Sequence, residues 1–460
     1  MFKFDLKDEK YKKIHFIGIG GVSMSGIALL LDNLGYEISG SDRSNSDYLD
    51  SLRDNGIQVH IGQSKDNISD QDLFVYTDAI SDDNEELIAA RETGKEVVSR
   101  GVFLGALMRN YNRSIAISGS HGKSTTTSIL AKILIDSESD ASILLGGLLD
   151  EMNGNVKLGN SDILLTEACE FKGNILNYHP ATVVILNIDE DHLDYYKDLN
   201  HIVETFIGYM KNLDEDGKAI INKDDKNTHR LFDHIKGELI TFSMEDETAD
   251  YYLENLEYNE HGYPSFTMHM RDGRVEDFSI NIIGLFNIYN TMSAIIAAYE
   301  NGISVEDIRT ALKSYKNLHR RMELIGKHND ASVLTDYGHH PVEIKSTLKA
   351  VKDTYKKNLV AIFQPHLYSR TKILLDDFSN SFYEADEVIV TDIFAAREPF
   401  DPTIHSKDLV EKLVGNGVNA KYLSTFEDVV EDLKDEYDEE DIIITLGCGN
   451  PDKLAKMLVD

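Results

Sequence analysis

The chain has 460 residues, of which 42% are hydrophobic, and a formal net charge of −34 at pH 7. This length exceeds one ordinary hydrophobic core and predicts two to four globular domains. The acidic balance argues against nucleic-acid binding, because the chain has no excess of Lys and Arg to neutralise phosphates.

Two cysteines, Cys169 and Cys448, are too few for a disulfide framework and predict a reducing compartment. The charged segment 1–13 has no apolar core of the kind that a signal peptide needs. No run reaches the roughly 18 apolar residues that span a bilayer. We therefore expect a cytoplasmic protein without membrane insertion, and the sequence leaves monomer and homodimer open.

Three parts of the chain begin with a short apolar strand that leads into glycine and then a helical pattern. Strands are predicted at 14–18, 36–39, 114–118, near 333, and at 359–363, 387–391 and 442–446. This order is typical of parallel α/β sheets. By contrast, segment 215–282 alternates and contains the turn pairs His261-Gly262 and Asp272-Gly273, which predict antiparallel strands. We expect the acidic run 427–441 to be the solvated face of a helix.

The first glycine cluster follows the first predicted strand and begins a helix. Gly18, Gly20 and Gly21 form a turn, and Asp42 follows the second strand at the offset of a ribose-binding acidic residue. The third glycine of the dinucleotide-binding motif is Ser23 here, so the motif is incomplete. From the residues alone, an NAD-dependent oxidoreductase and a tight turn without a ligand are both alternatives.

A stronger pattern follows the strand at 114–118. Residues 119–127 read Gly-Ser-His-Gly-Lys-Ser-Thr-Thr-Thr and open a helix, so backbone N–H groups and the helix N-terminus can approach phosphate oxygens. Lys123 suits the β- and γ-phosphates of a nucleotide, and the Ser124 hydroxyl suits Mg²⁺. Ile117 stands where a full Walker A pattern has glycine, which predicts a shorter loop.

Carboxylates follow two further apolar strands. Glu167 and Glu170 come after a strand predicted at 162–166, and the polar run 187–194, with His192, comes after another at 183–186. Oxygen ligands at strand ends near a phosphate loop suit Mg²⁺. For Glu167, a structural ion pair explains the residue equally well.

Two polar segments of the C-terminal part also follow apolar strands, the usual place for ligand-contacting residues in such sheets. They are Asp336-Tyr-Gly-His-His-Pro341 and Gln364-Pro-His-Leu-Tyr-Ser-Arg370. Together His339, His340 and His366 have the chemistry to bind zinc, but no cysteine ligand and no H-E-x-x-H spacing support it.

In this order the motifs resemble those of the Mur ligases. The resemblance is carried by segments 15–28, 40–42, 119–127, 167–170, 187–192, 320–321, 336–341 and 363–371, and by Asn287 with Asn290. It implies an α/β protein of three domains: a Rossmann-like UDP-binding domain at 1–109, a P-loop ATPase domain at 110–322 and a Rossmann-like domain at 323–460. It implies ATP and Mg²⁺ as cofactors, and a ligase that joins L-alanine to the carboxylate of UDP-N-acetylmuramate through an acyl phosphate.

The resemblance also implies roles for individual residues. Catalytic roles fall to Lys123, Arg321, Asp336 and His339, and Mg²⁺ binding to Ser124, Glu170 and His192. ATP binding falls to Gly119, Ser120, His121, Gly122, Lys123, Ser124, Thr125, Asn287 and Asn290. UDP-sugar binding falls to Gly18, Gly20, Gly21, Ser23, Met24, Asp42 and Thr77, and amino-acid binding to His339, His366 and Arg370.

Several positions depart from the family pattern. Phe286 replaces a histidine before Asn287, Thr335 replaces an aspartate, and segments 77–79 and 446–451 differ. These departures leave open a related ligase with a different amino-acid or peptide acceptor. A UDP-sugar sensor without catalysis is a further alternative.

Overall fold

The computed structural model describes residues 2–8, 10–152, 154–192, 195–259, 261–396, 398–434 and 436–459. Asp194, at the end of the polar run 187–194, lies outside these ranges. The chain divides into two compact units: one contains residues 1–254, 267–278 and 289–315, and the other 255–266, 279–288 and 316–460. Among the described residues, we find no helix with the length and apolar character needed to cross a bilayer.

The N-terminal part of the first unit is a parallel sheet with its connecting helices. Its strands are β1 (Lys13–Ile17), β2 (Glu37–Asp42), β3 (Gln58–Ile61), β4 (Leu73–Tyr76) and β5 (Glu96–Ser99), and its helices are α1 (Val22–Asn33), α2 (Asp47–Asp54), α3 (Glu85–Glu92) and α4 (Arg100–Met108). The strand order is β3-β2-β1-β4-β5, and all neighbours pair in parallel. Because the order reverses between β1 and β4, the loops after these strands border a crevice at their carboxyl ends.

The central sheet is built around β6 (Arg113–Ser118). The other strands are β7 (Ser142–Leu149), β8 (Gly154–Lys157), β9 (Ile163–Glu167), β10 (Thr182–Ile185), β11 (Lys218–Asn222), β12 (Glu238–Ser243), β13 (Tyr251–Tyr258), β14 (Pro264–His269) and β15 (Val275–Ser279), and the helices are α5 (Lys123–Asp136), α6 (Leu199–Met210), α7 (Leu285–Glu300) and α8 (Val305–Ser314). The order is β15-β14-β13-β12-β11-β10-β6-β9-β7-β8. β6 pairs in parallel with both β9 and β10, so the loops after these three strands meet at one edge.

The prediction of antiparallel strands in segment 215–282 is wrong for its first half. β11 pairs in parallel with β10 and β12, and β12 pairs in parallel with β13. β11 and β12 are short runs with buried centres, which suits a covered parallel sheet better than a half-exposed one. The predicted turns are confirmed, because Gly262 and Gly273 adopt φ values of +73° and +87° in turns that precede β14 and β15.

The second unit contains a sheet with one antiparallel edge. Its strands are β16 (Glu323–His328), β17 (Ala331–Asp336), β18 (Asn358–Phe363), β19 (Glu387–Val390), β20 (Ala420–Tyr422) and β21 (Asp441–Leu446), and its helices are α9 (Pro341–Tyr355), α10 (Tyr368–Ile373), α11 (Leu375–Ser379), α12 (Ser406–Gly415), α13 (Phe426–Leu433) and α14 (Pro451–Val459). The order is β16-β17-β21-β18-β19-β20, and only β16 pairs in antiparallel fashion within these described strands. The loops after β17, β21 and β18 are therefore neighbours.

The helix predicted for the acidic run 427–441 is only partly confirmed. α13 ends at Leu433, and its buried residues Val429 and Leu433 leave the acidic side chains on the opposite face. Near the end of the run, the Asp438 N–H donates to the Asp441 carboxylate at 2.8 Å, and the Asp441 N–H donates back to the Asp438 carbonyl. An aspartate that accepts from a nearby backbone N–H favours a turn over a helix, and β21 begins there.

Candidate functional site

The loop after β6 has the backbone shape of a phosphate-binding turn. Gly119 and Gly122 adopt φ values of +139° and +86°, which side chains rarely allow, and Gly122 is the residue that precedes α5. A Cβ atom on Gly122 would collide with the Asn290 side chain. The loop is therefore tightly built against α7, and the first N–H groups of α5 point out of its N-terminus.

The segment after β10 fixes this loop in place. The Asn187 side chain accepts from the His121 N–H at 2.8 Å and donates to the His121 carbonyl at 3.1 Å. The Ser120 hydroxyl accepts from the Asp189 N–H at 2.8 Å and donates to the Asp189 carbonyl at 3.1 Å. The Ser120 hydroxyl is thus already hydrogen-bonded to the Asp189 backbone. Asn187 shapes the loop, and the sequence alone assigned it no individual role.

Lys123, the first residue of α5, lies against Glu170. Its Nζ is 3.1 Å from Glu170 Oε2 and also donates to the carbonyls of Gly119 and Ser120. Burial alone lowers the pKa of Lys123, but the nearby Glu170 carboxylate outweighs it, and the pKa lies above its usual value. The lysine is therefore held as a cation beside the backbone of the phosphate loop.

One group of ligand atoms in the described residues has the spacing of a metal site. Oxygen or nitrogen atoms of Glu170, Asp191 and His192 lie within 4.8 Å of one another. Carboxylate oxygens suit a hard ion such as Mg²⁺, whereas an imidazole is a softer partner. The predicted ligands Glu170 and His192 are brought together, and Asp191 joins them although the sequence did not select it.

Ser124 lies beside a different carboxylate. Its hydroxyl donates to Glu167 Oε2 at 3.0 Å, and Glu167 Oε1 accepts from the Gly146 N–H at 2.7 Å. Glu167 thus connects the start of α5 with β7, and Ser124 is not a member of the Glu170 group. Glu167 therefore lies beside the phosphate loop, where it accepts a hydrogen bond from the Ser124 side chain.

The N-terminal glycine loop lies at the crevice between β1 and β4. Gly18 has a φ of +83°, and a Cβ atom there would collide with Thr77, which follows β4. The Asp42 carboxylate accepts from the Gly20 N–H at 2.8 Å and from the Arg43 N–H at 2.7 Å, so it shapes the loop. The structure brings the predicted UDP-sugar residues together.

Two further predicted residues of this site lie in α1. The Ser23 hydroxyl is 3.4 Å from Arg100 Nη1, while the Met24 side chain is only 1% exposed. Met24 therefore contributes its side chain to the core and lies in the first turn of α1, where backbone N–H groups have no partner inside the helix.

In the second unit, Asp336 ends β17 in a buried position. Its carboxylate accepts from the Met322 N–H at 2.9 Å and the Gly338 N–H at 2.8 Å, and from the Thr347 hydroxyl at 3.4 Å. Burial raises the pKa of Asp336, and the positive charge of Arg321 opposes this shift without reversing it. These contacts show that Asp336 shapes its loop, and its catalytic role stays a prediction.

Arg320 and Arg321 both lie over the ring of Tyr337, at 4.9 and 5.0 Å from its centroid. Arg320 also donates to the carbonyls of Gly447 and Gly449, at 2.9 and 3.0 Å. Arg320 therefore fastens the loop after β21, while the ring contact holds Arg321.

His339 follows on the same loop as Tyr337. Its Nδ1 lies 3.2 Å from the Tyr337 carbonyl and 3.5 Å from Glu343 Oε2, and its side chain is 18% exposed. The imidazole is thus oriented by its neighbours and still reaches solvent.

The loop after β18 carries the other predicted amino-acid-binding residues. The His366 ring stacks on Phe394 with centroids 5.7 Å apart, and Arg370 lies in α10. Leu367 between them has φ +68° and ψ 133°, a strained conformation for a branched residue. In the described residues, His339, His340 and His366 do not form a metal-binding group, so the zinc alternative has no support.

The two predicted ATP-side asparagines lie in α7. Asn287 is 3% exposed, and its Nδ2 donates to the Ile283 carbonyl at 2.7 Å. Asn290 is 4% exposed and packs at Gly122. Thr335, where the family pattern has aspartate, is fully buried and accepts a hydrogen bond from the Thr445 hydroxyl at 2.9 Å.

Three family models match the chain in succession. They are described as Mur ligase family, catalytic domain (residues 13–112), Mur ligase middle domain (117–298) and Mur ligase, glutamate ligase domain (320–449). The chain belongs to the Mur ligase family, whose members are ATP-dependent ligases. This membership replaces the alternative of an NAD-dependent oxidoreductase.

Particular members of the family are similar to the whole chain. UDP-N-acetylmuramate–L-alanine ligases of Acetivibrio thermocellus and Clostridium acetobutylicum are 42% and 43% identical to it, over 99% of this chain and 97% and 99% of theirs. The crystal structure of a UDP-N-acetylmuramate–alanine ligase from Thermotoga maritima matches with a TM-score of 0.80 and 25% identity, over 97% of this chain and 98% of that one. A murein peptide ligase from Psychrobacter arcticus matches with a TM-score of 0.72 at 25% identity, over the same shares.

Proposed function

We propose that this chain joins L-alanine to the carboxylate of UDP-N-acetylmuramate, with conversion of ATP to ADP and phosphate, in peptidoglycan precursor synthesis. The observation that carries the proposal is the phosphate loop, with Lys123 against Glu170 where three parallel strands end. Full-length relatives at 42% and 43% identity bear the name of this activity. We also propose domain boundaries near residues 109 and 322, and a cytoplasmic location, where ATP and nucleotide sugars are available.

The nucleotide side of the reaction depends on positioning and charge. Lys123 places its ammonium against the β- and γ-phosphates, and the N–H groups at the start of α5 donate to their oxygens. Asn287 and Asn290 serve the adenosine side. Glu170, Asp191 and His192 are the residues that would hold Mg²⁺, with the Ser124 hydroxyl near the phosphates. When bound, the ion neutralises phosphate charge.

The sugar side uses the N-terminal crevice. N–H groups at the start of α1, from Ser23 and Met24 among others, donate to the pyrophosphate of the UDP group. Gly18, Gly20 and Gly21 let the backbone approach it, and Thr77 borders the loop. Asp42 maintains the loop by its bond to the Gly20 N–H.

In the first chemical step, an oxygen of the sugar carboxylate forms a bond to the γ-phosphorus, the bond to the β,γ-bridging oxygen breaks, and ADP leaves. In the second step the amine of L-alanine attacks the acyl carbon, and phosphate leaves from a tetrahedral intermediate. Arg321 neutralises developing negative charge, and His339 accepts the proton of the incoming ammonium. The guanidinium group of Arg370 binds the carboxylate of L-alanine through two parallel hydrogen bonds, next to His366.

The activity is tested by phosphate release from ATP with UDP-N-acetylmuramate and a panel of amino acids and peptides. We expect release with L-alanine, loss of turnover by roughly a thousandfold in Lys123→Ala, and retained UDP-sugar binding. Lys132→Ala is the matched control, because Lys132 lies on the same helix and pairs with Asp136 instead of the phosphate loop.

Each possible result of this panel has a definite meaning. Unchanged turnover in Lys123→Ala would remove the proposed role of the loop. Release with a peptide in place of L-alanine would favour the murein peptide ligases, to which the fold is also similar. UDP-sugar binding without any ATP hydrolysis would indicate a sensor.

A further inference from the structure

A buried polar cluster lies beneath the N-terminal glycine loop and plays no part in the proposed chemistry. His15 in β1 and Glu86 in α3 are both fully buried, and His15 Nε2 lies 2.9 Å from Glu86 Oε1. His15 Nδ1 lies 2.8 Å from the Ser39 hydroxyl. With hydrogen on Nε2, the imidazole donates to Glu86 and accepts from Ser39, so both ring nitrogens are satisfied.

The Glu86 carboxylate collects donors from several segments. Glu86 Oε1 also accepts from Asn67 Nδ2 at 3.0 Å, and Glu86 Oε2 accepts from the Ser41 hydroxyl at 2.5 Å. The Asn84 side chain accepts from the Glu86 N–H and so fixes the start of α3. A buried carboxyl group needs such donors, because a buried polar group without hydrogen-bond partners is costly. One side chain therefore connects β1, β2, the turn at Asn67 and α3.

Ser41 connects this cluster to the glycine loop. Its carbonyl accepts from the Gly18 N–H at 2.8 Å and from the Ile19 N–H at 2.9 Å. The hydroxyl of the same residue is the donor to Glu86. The loop has little room at Gly18, because a Cβ atom there would lie 2.5 Å from the Thr77 side chain. A shift of Ser41 is therefore transmitted directly to the backbone of the loop.

We propose that Glu86, through Ser41, is a positioning residue that holds the N-terminal glycine loop in its UDP-binding shape. The inference rests on the proposed function, in which this loop binds the UDP group. Both side chains are fully buried, and the bond from the Ser41 hydroxyl to the Glu86 carboxylate sets where the Ser41 carbonyl holds Gly18 and Ile19. Loss of the bond weakens binding of the UDP-sugar and leaves the ATP side unaffected.

Ser39 provides a matched comparison for Ser41. Both hydroxyls lie in β2 and belong to the same hydrogen-bonded cluster, but Ser39 is only partly buried and bonds to His15, whereas the carbonyl that holds Gly18 and Ile19 is that of Ser41. Ser41→Ala and Ser39→Ala each remove one hydroxyl of the cluster. If the cluster has only a structural role, the two variants should change UDP-sugar binding to a similar extent. If Ser41 positions the loop, Ser41→Ala should weaken this binding more than Ser39→Ala.

The experiment measures the Kd of UDP-N-acetylmuramate by calorimetry, with the KM of ATP and the Tm of each variant. We expect Ser41→Ala to raise the Kd about tenfold, with an unchanged KM for ATP, and Ser39→Ala to stay within about twofold of the wild type. Glu86→Gln should raise the Kd as well, whereas Glu85→Gln, its exposed neighbour on α3, should not. Ser41→Ala in the Glu86→Gln background should add little, because the two act through one bond.

Equal Kd values for Ser41→Ala and Ser39→Ala, or a fall in Tm alone, would overturn the inference. A wild-type protein that does not bind the UDP-sugar would overturn the proposed function and the inference with it. Wild-type binding that Ser41→Ala leaves unchanged would overturn only the inference.

Discussion

Lys123 and Glu170 form an ion pair whose side chains are only 15% and 2% exposed, with Lys123 Nζ at 3.1 Å from Glu170 Oε2. Glu170 is also a member of the candidate metal group. A buried pair of this kind is costly to break by removing one partner, because the remaining charge is left without compensation. In the proposed function, a bound nucleotide and a bound ion would give the two side chains new partners of opposite charge.

Replacement of Glu170 by Gln should raise the Mg²⁺ concentration needed for half-maximal activity by at least about tenfold. The reason is that an amide oxygen binds a hard divalent ion more weakly than a carboxylate does. A titration of phosphate release against Mg²⁺ measures this shift. Glu190→Gln is the control, since Glu190 lies on the neighbouring loop and is exposed; an identical Mg²⁺ requirement in both variants would contradict the metal assignment.

Replacement of Asn187 by Ala should loosen the phosphate loop. The change removes both hydrogen bonds to the His121 backbone and costs about 1–3 kcal/mol of stability. We expect the KM for ATP to rise about tenfold, with little change in UDP-sugar affinity. Steady-state kinetics with each substrate varied in turn distinguish the two sites; a rise in the UDP-sugar KM alone would refute this role of Asn187.

Replacement of Arg370 by Ala should raise the KM for L-alanine by about tenfold or more, because the partner of the amino-acid carboxylate is lost. Arg370→Lys should recover part of the loss, since it keeps the charge without the fork. Lys372→Ala serves as the control, because Lys372 lies on the same short helix, is half exposed and bonds to Thr403. If the KM for L-alanine is the same in both alanine variants, another residue binds the carboxylate.

The thiol of Cys448 should be unreactive at ordinary pH. Burial raises its pKa to about 12, against the smaller opposite effect of Arg370. A raised thiol pKa keeps the group neutral, so alkylation at pH 8 should be more than about a hundredfold slower than that of an unfolded cysteine peptide. The rate should increase as the pH rises toward that value. Mass spectrometry after timed iodoacetamide treatment measures the rate, and alkylation at the peptide's rate would show that the surroundings of the thiol do not raise its pKa.

The sequence predicted those features that depend on short local patterns. The strands that precede the glycine loop and the phosphate loop follow from buried apolar runs that end in glycine, and both loops adopt the positive φ values that glycine allows. The order of motifs along the chain was enough to predict the Mur ligase family, and the family models confirm this prediction.

Features that depend on pairing across the sheet were not predictable in the same way. The predicted antiparallel pairing of β11 and β12 was wrong, because the alternation of polar residues in a short strand does not predict which strands it pairs with or in which direction. Asn187 and Asp191 were not selected, since their partners at His121 and Glu170 are distant in the chain. The sequence feature that could have identified them is their position directly after a buried strand next to the phosphate loop.

The transfer of a labelled oxygen tests the central claim most directly. UDP-N-acetylmuramate is prepared with ¹⁸O in its carboxylate and incubated with the protein, ATP, Mg²⁺ and L-alanine. If the carboxylate attacks the γ-phosphorus and phosphate later leaves the acyl carbon, each released phosphate carries one ¹⁸O from the sugar, and its release in Lys123→Ala is roughly a thousandfold slower. Phosphate released at full rate without the label would contradict the account.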